Sequence, residues 1–341
     1  MLTLPLVLFI VMCEIAVGAF TVMFALDWRN LVKRNFLVLY GIIYVAFAAL
    51  TYLFQQSFST PSLLNTFVPL DKAWTGYETL PMLLFVLFML PYNLFLWLDK
   101  NAGVDGKERA AALSQKGGDD EDATPTTPAR SGPSAVRILR LLSGSLATLA
   151  GLATIFVLAM IFRPLESANL GGAFTVASFF AAALALGGVM TAMWLGHWYL
   201  VTPALSEKPL QLATTLVLIG VFAELLLALA AGPITTPASQ PSTASSTTHT
   251  TVVAPASTPA PNSTVTVKPA GAPVITPLGT NAIGWLRILV SFVIPIALGA
   301  LAWKLVRDRS FQSATGMLYL IVVCVIAGEV IARGLLLIGL A

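Results

Sequence analysis

Eight long apolar segments are the feature of this sequence that most constrains its fold. Each holds about 20 mostly apolar residues, the length that an α-helix needs to cross a lipid bilayer. Charged residues make up 10% of the chain, whereas soluble domains carry about 25%, so lipid must cover much of the surface. The sequence therefore predicts an all-α fold, a polytopic membrane helical bundle with about eight transmembrane helices. The predicted spans are residues 3–25, 35–55, 79–98, 137–162, 173–201, 209–231, 283–303 and 314–338.

The distribution of basic residues predicts the orientation of these spans. When the loops are taken alternately, one set contains fourteen Lys and Arg residues and the other contains four. Basic residues favour the cytoplasmic side of a membrane. The richer set is therefore predicted to be cytoplasmic, and the N and C termini are both predicted to lie outside. We expect a multi-pass protein of the cell membrane, with the lipid bilayer as its surroundings.

Two polar connectors divide the predicted spans into three groups. The first connector contains an acidic run at 119–122 and a Thr/Pro stretch, and it is predicted to be cytoplasmic and disordered. The second consists almost entirely of Ser, Thr, Pro, Ala and Val, which predicts an extended outer linker. The predicted organisation is helices 1–3 in 1–98, the cytoplasmic connector in 99–136, helices 4–6 in 137–231, the outer linker in 232–280 and helices 7–8 in 281–341.

The composition argues against several classes of function. The net charge of +3 is small and lies in the loops, so nucleic acid is not an expected partner. Cys13 and Cys324 each lie within a predicted span, far from any CxxC or Cys/His spacing. The two histidines are too few for a zinc site built of several histidines or for a pair of bis-histidine haems. We therefore expect this chain to bind no metal and no haem.

Four ionisable side chains lie inside the predicted spans: Glu14, Glu224, Glu329 and Arg333. A charge at the centre of a bilayer costs roughly 2.5–3.5 kcal/mol, so such residues indicate functional sites. The predicted topology places all four in a similar layer, from the middle to the outer half of the membrane. Glu329 and Arg333 are spaced i, i+4 on one helix face. The three acids are candidates for proton transfer. The alternative is an ion-pair network that only fixes the helix order, or carboxyls that remain protonated.

His197 is a further candidate for cofactor binding. It lies near the predicted cytoplasmic end of the fifth span, among aromatic residues. An imidazole changes its charge near neutral pH, which suits proton exchange or a hydrogen bond to a quinone carbonyl. The alternative is an interfacial histidine beside belt aromatics.

One predicted outer loop mixes charged and aromatic side chains. This composition suggests a surface for docking a partner, a lid over an outer pocket, or a solvated re-entrant loop. The residues concerned are Asp71, Lys72, Trp74, Tyr77 and Glu78.

Two stretches of the chain carry a resemblance to a known family. They are the last span, with ATGMLY at 314–319 and GEVIAR at 328–333, and the opening helix, with LPLV at 4–7 and AVGAF at 16–20. Both resemble the membrane-anchor subunits of dimethyl-sulfoxide-reductase-like enzymes. The resemblance implies eight helices, both termini outside and a quinol site toward the outer leaflet. It gives Glu329 and Arg333, and loosely Glu14, as residues of that site.

Three functions remain open at the level of the sequence. The leading hypothesis is a quinone-binding membrane subunit, not catalytic by itself, that takes electrons from quinol and passes them to external iron–sulfur and catalytic redox subunits. In this hypothesis Arg333, Glu329 and His197 contact the quinone, and the acids release its protons. The second hypothesis is a proton-coupled secondary transporter. The third is a structural or assembly membrane protein without small-molecule chemistry.

Overall fold

A computed structural model of the chain describes residues 3–104, 135–166, 170–202, 206–231 and 280–337. These ranges contain eight long helices and no β-strand, so the predicted all-α membrane bundle is confirmed. The helices are α1 (Thr3–Trp28), α2 (Arg34–Phe58), α3 (Thr79–Leu98), α4 (Ala135–Phe162), α5 (Ala173–Val201), α6 (Lys208–Ala231), α7 (consecutive segments Thr280–Ile288, Leu289–Val293 and Ile294–Arg307) and α8 (Phe311–Leu337). All eight are long and apolar enough to cross a membrane.

Successive long helices run in opposite directions. For example, Gly144 of α4 lies against Tyr92 of α3, while Gly151, further along α4, lies against Phe85, which is earlier in α3. With eight alternating helices, α1 begins and α8 ends at the same face of the bundle. We call this the terminal face. The opposite face, which carries the loops 29–33 and 308–310, is called the basic face.

The helix α1 lies at the centre of the bundle. Of its apolar stretch, 83% is buried inside the protein, against 28–56% for the other seven helices. A helix that is apolar on all sides is stable in this position because every side meets another helix. Gly18 and Gly187 let α1 and α5 approach closely, since a Cβ atom on either glycine would overlap the backbone of the other helix. Small residues at such contacts are typical of membrane helices.

The outward sides of the peripheral helices are strongly apolar. Leu53 on α2, Leu87 on α3 and Leu149 on α4 are all more than half exposed, at 62%, 52% and 63%. A soluble monomer rarely exposes apolar patches on this scale. These sides of the bundle therefore face lipid.

The helix α7 contains an irregular turn. Residues Leu289–Val293 form a π-helical segment just before Pro295. Proline has no amide hydrogen and its ring crowds the preceding turn, so a regular helix cannot continue through it undisturbed. Within the irregular turn, Ser291 is buried against Gly328 of α8.

The predicted connectors lie largely outside the described residues. Residues 99–104 are described: they fold back against the loop after α1, where an isolated backbone bridge joins Lys33 to Gly103. The acidic run at 119–122 and the whole Ser/Thr/Pro-rich segment 232–279 belong to the parts that are not described.

Candidate functional site

Arg333 is the centre of a buried ionic cluster. Its Nη2 atom lies 2.6 Å from Oε1 of Glu14, and its Nε atom lies 2.8 Å from Oε1 of Glu329. The second contact follows from the i, i+4 spacing on α8, which brings two side chains together on one helix face. The first contact joins α8 to α1. One guanidinium therefore bridges two carboxyl groups from two helices.

The ionic groups of this cluster are almost completely removed from the surface. Glu14 is 0% exposed, while Glu329 and Arg333 are each 4% exposed. A charge in such surroundings is tolerated only when an opposite charge and hydrogen bonds compensate for the lost water. Arg333 receives this compensation from both acids.

The helix α5 completes the surroundings of Arg333. The guanidinium donates hydrogen bonds to Ser178, through Nη1 to Oγ at 3.3 Å and through Nη2 to the main-chain oxygen at 3.4 Å. It also stacks over the ring of Phe179, with Cζ 3.9 Å from the ring centroid. Arginine favours this combination of forked hydrogen bonds and aromatic stacking. The side chain of Arg333 is thus fixed from three helices.

Glu224 joins the cluster from α6. Its carboxyl group lies near enough to Glu329, Arg333 and Glu14 to interact with them electrostatically. Neighbouring carboxylates repel each other, so such a group favours a bound proton on one of them. The Arg333 cluster, defined as Glu14, Glu224, Glu329 and Arg333, therefore contains three acids for one base.

The cluster lies in the half of the bundle nearer the terminal face. At about 1.5 Å per residue, Arg333 is roughly 6 Å from the last described residue of α8 and Ser178 is roughly 7.5 Å from the start of α5. The four residues that the sequence analysis assigned to one layer are thus brought together in space.

His197 is not part of this cluster. It is exposed in the last turn of α5, at the basic face. The same face holds a cavity of about 270 Å³ between α2, α5 and α6, lined by apolar residues together with Lys33, Trp198, Tyr199, Thr202 and Ser206. His197 does not line this cavity. His197 lies at the basic face, whereas Arg333 and Glu329 lie toward the terminal face. A single site that combines all three residues is therefore incompatible with their positions.

A second buried ionic group lies toward the basic face. Arg140 of α4 contacts Asp27 of α1 at 3.4 Å and Asp99 at 3.1 Å, and Tyr92 of α3 donates a hydrogen bond of 3.1 Å to Asp27. We call these four residues the Arg140 cluster. Sequence reasoning missed it because Asp27, Asp99 and Arg140 lie at or near predicted span ends, where charges ordinarily meet water.

Ser178, Phe179 and Glu78 were also missed as site residues. Ser178 gives a weak signal, as a polar residue in an apolar span at the depth of the predicted charge layer. Glu78 was assigned to a loop surface, whereas its side chain is only 1% exposed.

In the described part of the chain, no three His, Cys, Asp or Glu side chains are grouped as metal ligands. Comparisons with protein-family models, with curated proteins and with solved structures found no match to this chain.

Proposed function

We propose that this chain is an integral membrane subunit that binds quinol at the Arg333 cluster and carries away its protons. The electrons would pass to an iron–sulfur or other catalytic redox subunit beyond the terminal face, which is predicted to be the outer one. The single observation that carries the proposal is the buried contact of Arg333 with both Glu14 and Glu329.

The excess of acid over base in the cluster supports proton exchange. Three carboxyls share one guanidinium, so we infer that at least one of them carries a proton. The additional acids give the cluster a capacity to bind and release protons inside the bundle.

The resemblance to quinol-oxidising anchor subunits adds a second support. It rests on the first and last helices, and Glu14, Glu329 and Arg333 are the residues it assigns to the site. In the folded chain these residues are in direct contact although 319 positions separate Glu14 from Arg333.

Glu14 offers a buried acceptor for a quinol hydroxyl group. The Oε2 atom of Glu14 is buried and accepts no hydrogen bond from any described residue, so it offers an acceptor for an O–H donor. Arg333 holds the other oxygen of the same carboxylate and thereby fixes the orientation of Oε2. The geometry suits a ligand that donates a hydrogen bond to Glu14.

In the proposed reaction the quinol carries the electrons, and the side chains of the cluster carry the protons. Quinol supplies two electrons and two protons on oxidation to quinone. Glu14 would accept one proton at Oε2 and, after passing it to Glu329 or Glu224, would accept the second. Both protons would leave the cluster toward the terminal face, and both electrons would go to the external redox subunit. Arg333 would stabilise the carboxyl groups that are ionised at each stage.

The experiment is isothermal titration calorimetry, in which a short-chain quinol is titrated into the purified full chain in detergent. We expect saturable binding to the unmodified chain. Glu14→Gln should weaken the affinity roughly 10- to 100-fold, because a hydrogen bond to a charged group contributes about 1.5–3 kcal/mol. Glu207→Gln is the matched control, since Glu207 pairs with Arg309 near the basic face, and it should bind quinol like the unmodified chain.

Two results would contradict the proposal. One is the absence of saturable quinol binding to the folded, unmodified chain. The other is an affinity that Glu14→Gln and Glu207→Gln change equally.

A proton-coupled transporter is the second candidate, and the irregular turn of α7 favours it. The Ser291 hydroxyl in this turn is buried without a hydrogen-bond partner among the described residues, and it lies against Gly328, the neighbour of Glu329. Interrupted helices beside a charged group are typical of transporter binding sites. A substrate bound there would contact Ser291 and exchange protons with Glu329.

Proteoliposomes that contain a pH-sensitive dye separate the two functions. A transporter would carry protons under an imposed membrane potential or substrate gradient without quinol, and Glu329→Gln would abolish this flux. A quinol-dependent subunit would release protons only when quinol and an electron acceptor are both present.

A further inference from the structure

Glu78 is a buried carboxyl outside the Arg333 cluster. It immediately precedes α3 at the terminal face and is 1% exposed. The end of α2 covers it, through Gln55 and Ser59, which are themselves 1% and 0% exposed. The side chain therefore points into the bundle and not into the loop surface expected from the sequence.

The hydrogen bonds around Glu78 leave two acceptors without a donor. Its Oε1 atom accepts a hydrogen bond of 2.6 Å from Ser59 Oγ. Gln55 Nε2 donates to the main-chain oxygen of Glu78 at 3.2 Å, which fixes the orientation of the amide, because the reverse orientation would set two acceptors against each other. Glu78 Oε2 and Gln55 Oε1 are then both buried and unpartnered.

A proton on Glu78 removes its uncompensated charge. Because Oε1 already accepts the hydrogen bond from Ser59, the proton would lie on Oε2, which then becomes a donor instead of an unpartnered acceptor. We propose that Glu78 holds a proton on Oε2 and is a second proton-exchange site, between the Arg333 cluster and the terminal face.

The charges around Glu78 agree with this assignment. None of the ion pairs in the described ranges joins Glu78 to a Lys or Arg; the nearby Asp71 pairs with Arg163 instead. An ionised carboxylate with neutral partners alone would be strongly disfavoured at this burial. A neutral carboxylic acid carries no such penalty.

Cys13 lies near both Glu78 and the Arg333 cluster. Its buried thiol interacts electrostatically with Glu78 and with Glu14, the next residue of α1, so Glu78 lies near this part of α1. In this respect the inference rests on the proposed function: protons released at Glu14 would reach the terminal face through Glu78. The proton on Glu78 itself does not depend on that function.

Infrared spectroscopy of the full chain in detergent at neutral pH tests the protonation directly. The difference spectrum between the unmodified chain and Glu78→Gln should contain a carboxylic-acid C=O band that shifts in deuterated water. Ser59→Ala should move this band, because it removes the hydrogen bond to Oε1. Glu207→Gln is the control, and its difference spectrum should contain only carboxylate bands. A Glu78→Gln spectrum that likewise shows only carboxylate bands would overturn the inference.

Proton release after rapid mixing of proteoliposomes with quinol and an electron acceptor tests the connection. Glu78→Gln should slow release on the order of 100-fold, the contribution typical of a positioned acid–base group, while calorimetric quinol affinity stays unchanged. Unchanged release in Glu78→Gln, with release lost in Glu329→Gln, would refute the path through Glu78 and leave the proposed function standing. Unchanged release in Glu329→Gln would refute the proposed function, whatever the infrared result for Glu78.

Discussion

Arg333 Nη2 and Glu14 Oε1 lie 2.6 Å apart, so the last long helix is tied to the first by a buried salt bridge. The two residues are separated by 319 positions in the sequence. Because α1 lies at the centre of the bundle, this contact forms only when α1 and α8 are both packed in place. The Arg333 cluster therefore requires the first and last long helices of the chain to be packed together.

Removing the base of the Arg333 cluster should lower the free energy of unfolding more than removing one of its acids. Arg333→Met leaves Glu14 and Glu329 buried without a counter-charge, and breaking a buried pair in this way costs about 3–5 kcal/mol. Glu14→Gln should cost less, because Arg333 keeps Glu329 and the bonds to Ser178. The measurement is the free energy of unfolding from detergent denaturation of each variant.

The double variant Arg333→Met/Glu14→Gln supplies the control. It should be more stable than Arg333→Met alone, because one uncompensated carboxylate has been removed. Strictly additive losses would show that the two side chains do not interact.

The helices could be predicted because their signal is local. About 20 apolar residues in a row are required for each span wherever it lies in the bundle, and the predicted limits 79–98 and 173–201 agree with α3 and α5. The i, i+4 contact between Glu329 and Arg333 could also be predicted, since it lies within one helix. The side of the membrane on which the termini lie stays a prediction.

The composition of the site could be predicted only in part, because the rotation of each helix about its axis is not encoded locally. In an apolar span such as α1, no amphipathic pattern indicates which side faces a neighbour. The contact between Arg333 and Ser178 depends on that rotation. The burial of Glu78 depends on how the loop before α3 turns inward, and its sequence neighbours Tyr77 and Lys72 gave the opposite indication.

The close approach of α1 and α5 should be sensitive to a single methyl group. In Gly18→Ala the new Cβ would overlap the main-chain carbonyl of Ala183, so the helices must separate. Overpacking of this kind costs about 1–3 kcal/mol, and the shift would also carry Glu14 away from Arg333. Denaturation in detergent measures the loss. Gly316→Ala on α8 is the control, because its Cβ meets no atom within 4 Å; equal losses in the two variants would contradict the explanation.

Two substitutions in the Arg140 cluster should lower the free energy of unfolding by different amounts. Arg140→Met leaves Asp27 and Asp99 without their base and should cost about 3–5 kcal/mol. Tyr92→Phe removes only the hydrogen bond to Asp27 and should cost about 0.5–1.5 kcal/mol. Quinol affinity should be unchanged in both folded variants, since the cluster lies toward the other face of the bundle. A reversed order of the two unfolding free energies would contradict the assignment of Arg140 as the central charge.

Glu224→Gln should remove a proton from the Arg333 cluster while keeping its geometry. The amide group of glutamine carries no titratable proton, but it can donate a hydrogen bond to Glu329. The infrared spectrum should accordingly lose a carboxylic-acid C=O band, and the unfolding free energy should change little because glutamine has nearly the same size and stays polar. Proton release on quinol oxidation should slow, since proton exchange between Glu329 and residue 224 is no longer available. Loss of a carboxylate band instead would show that Glu224 is ionised in the folded chain and would contradict this prediction.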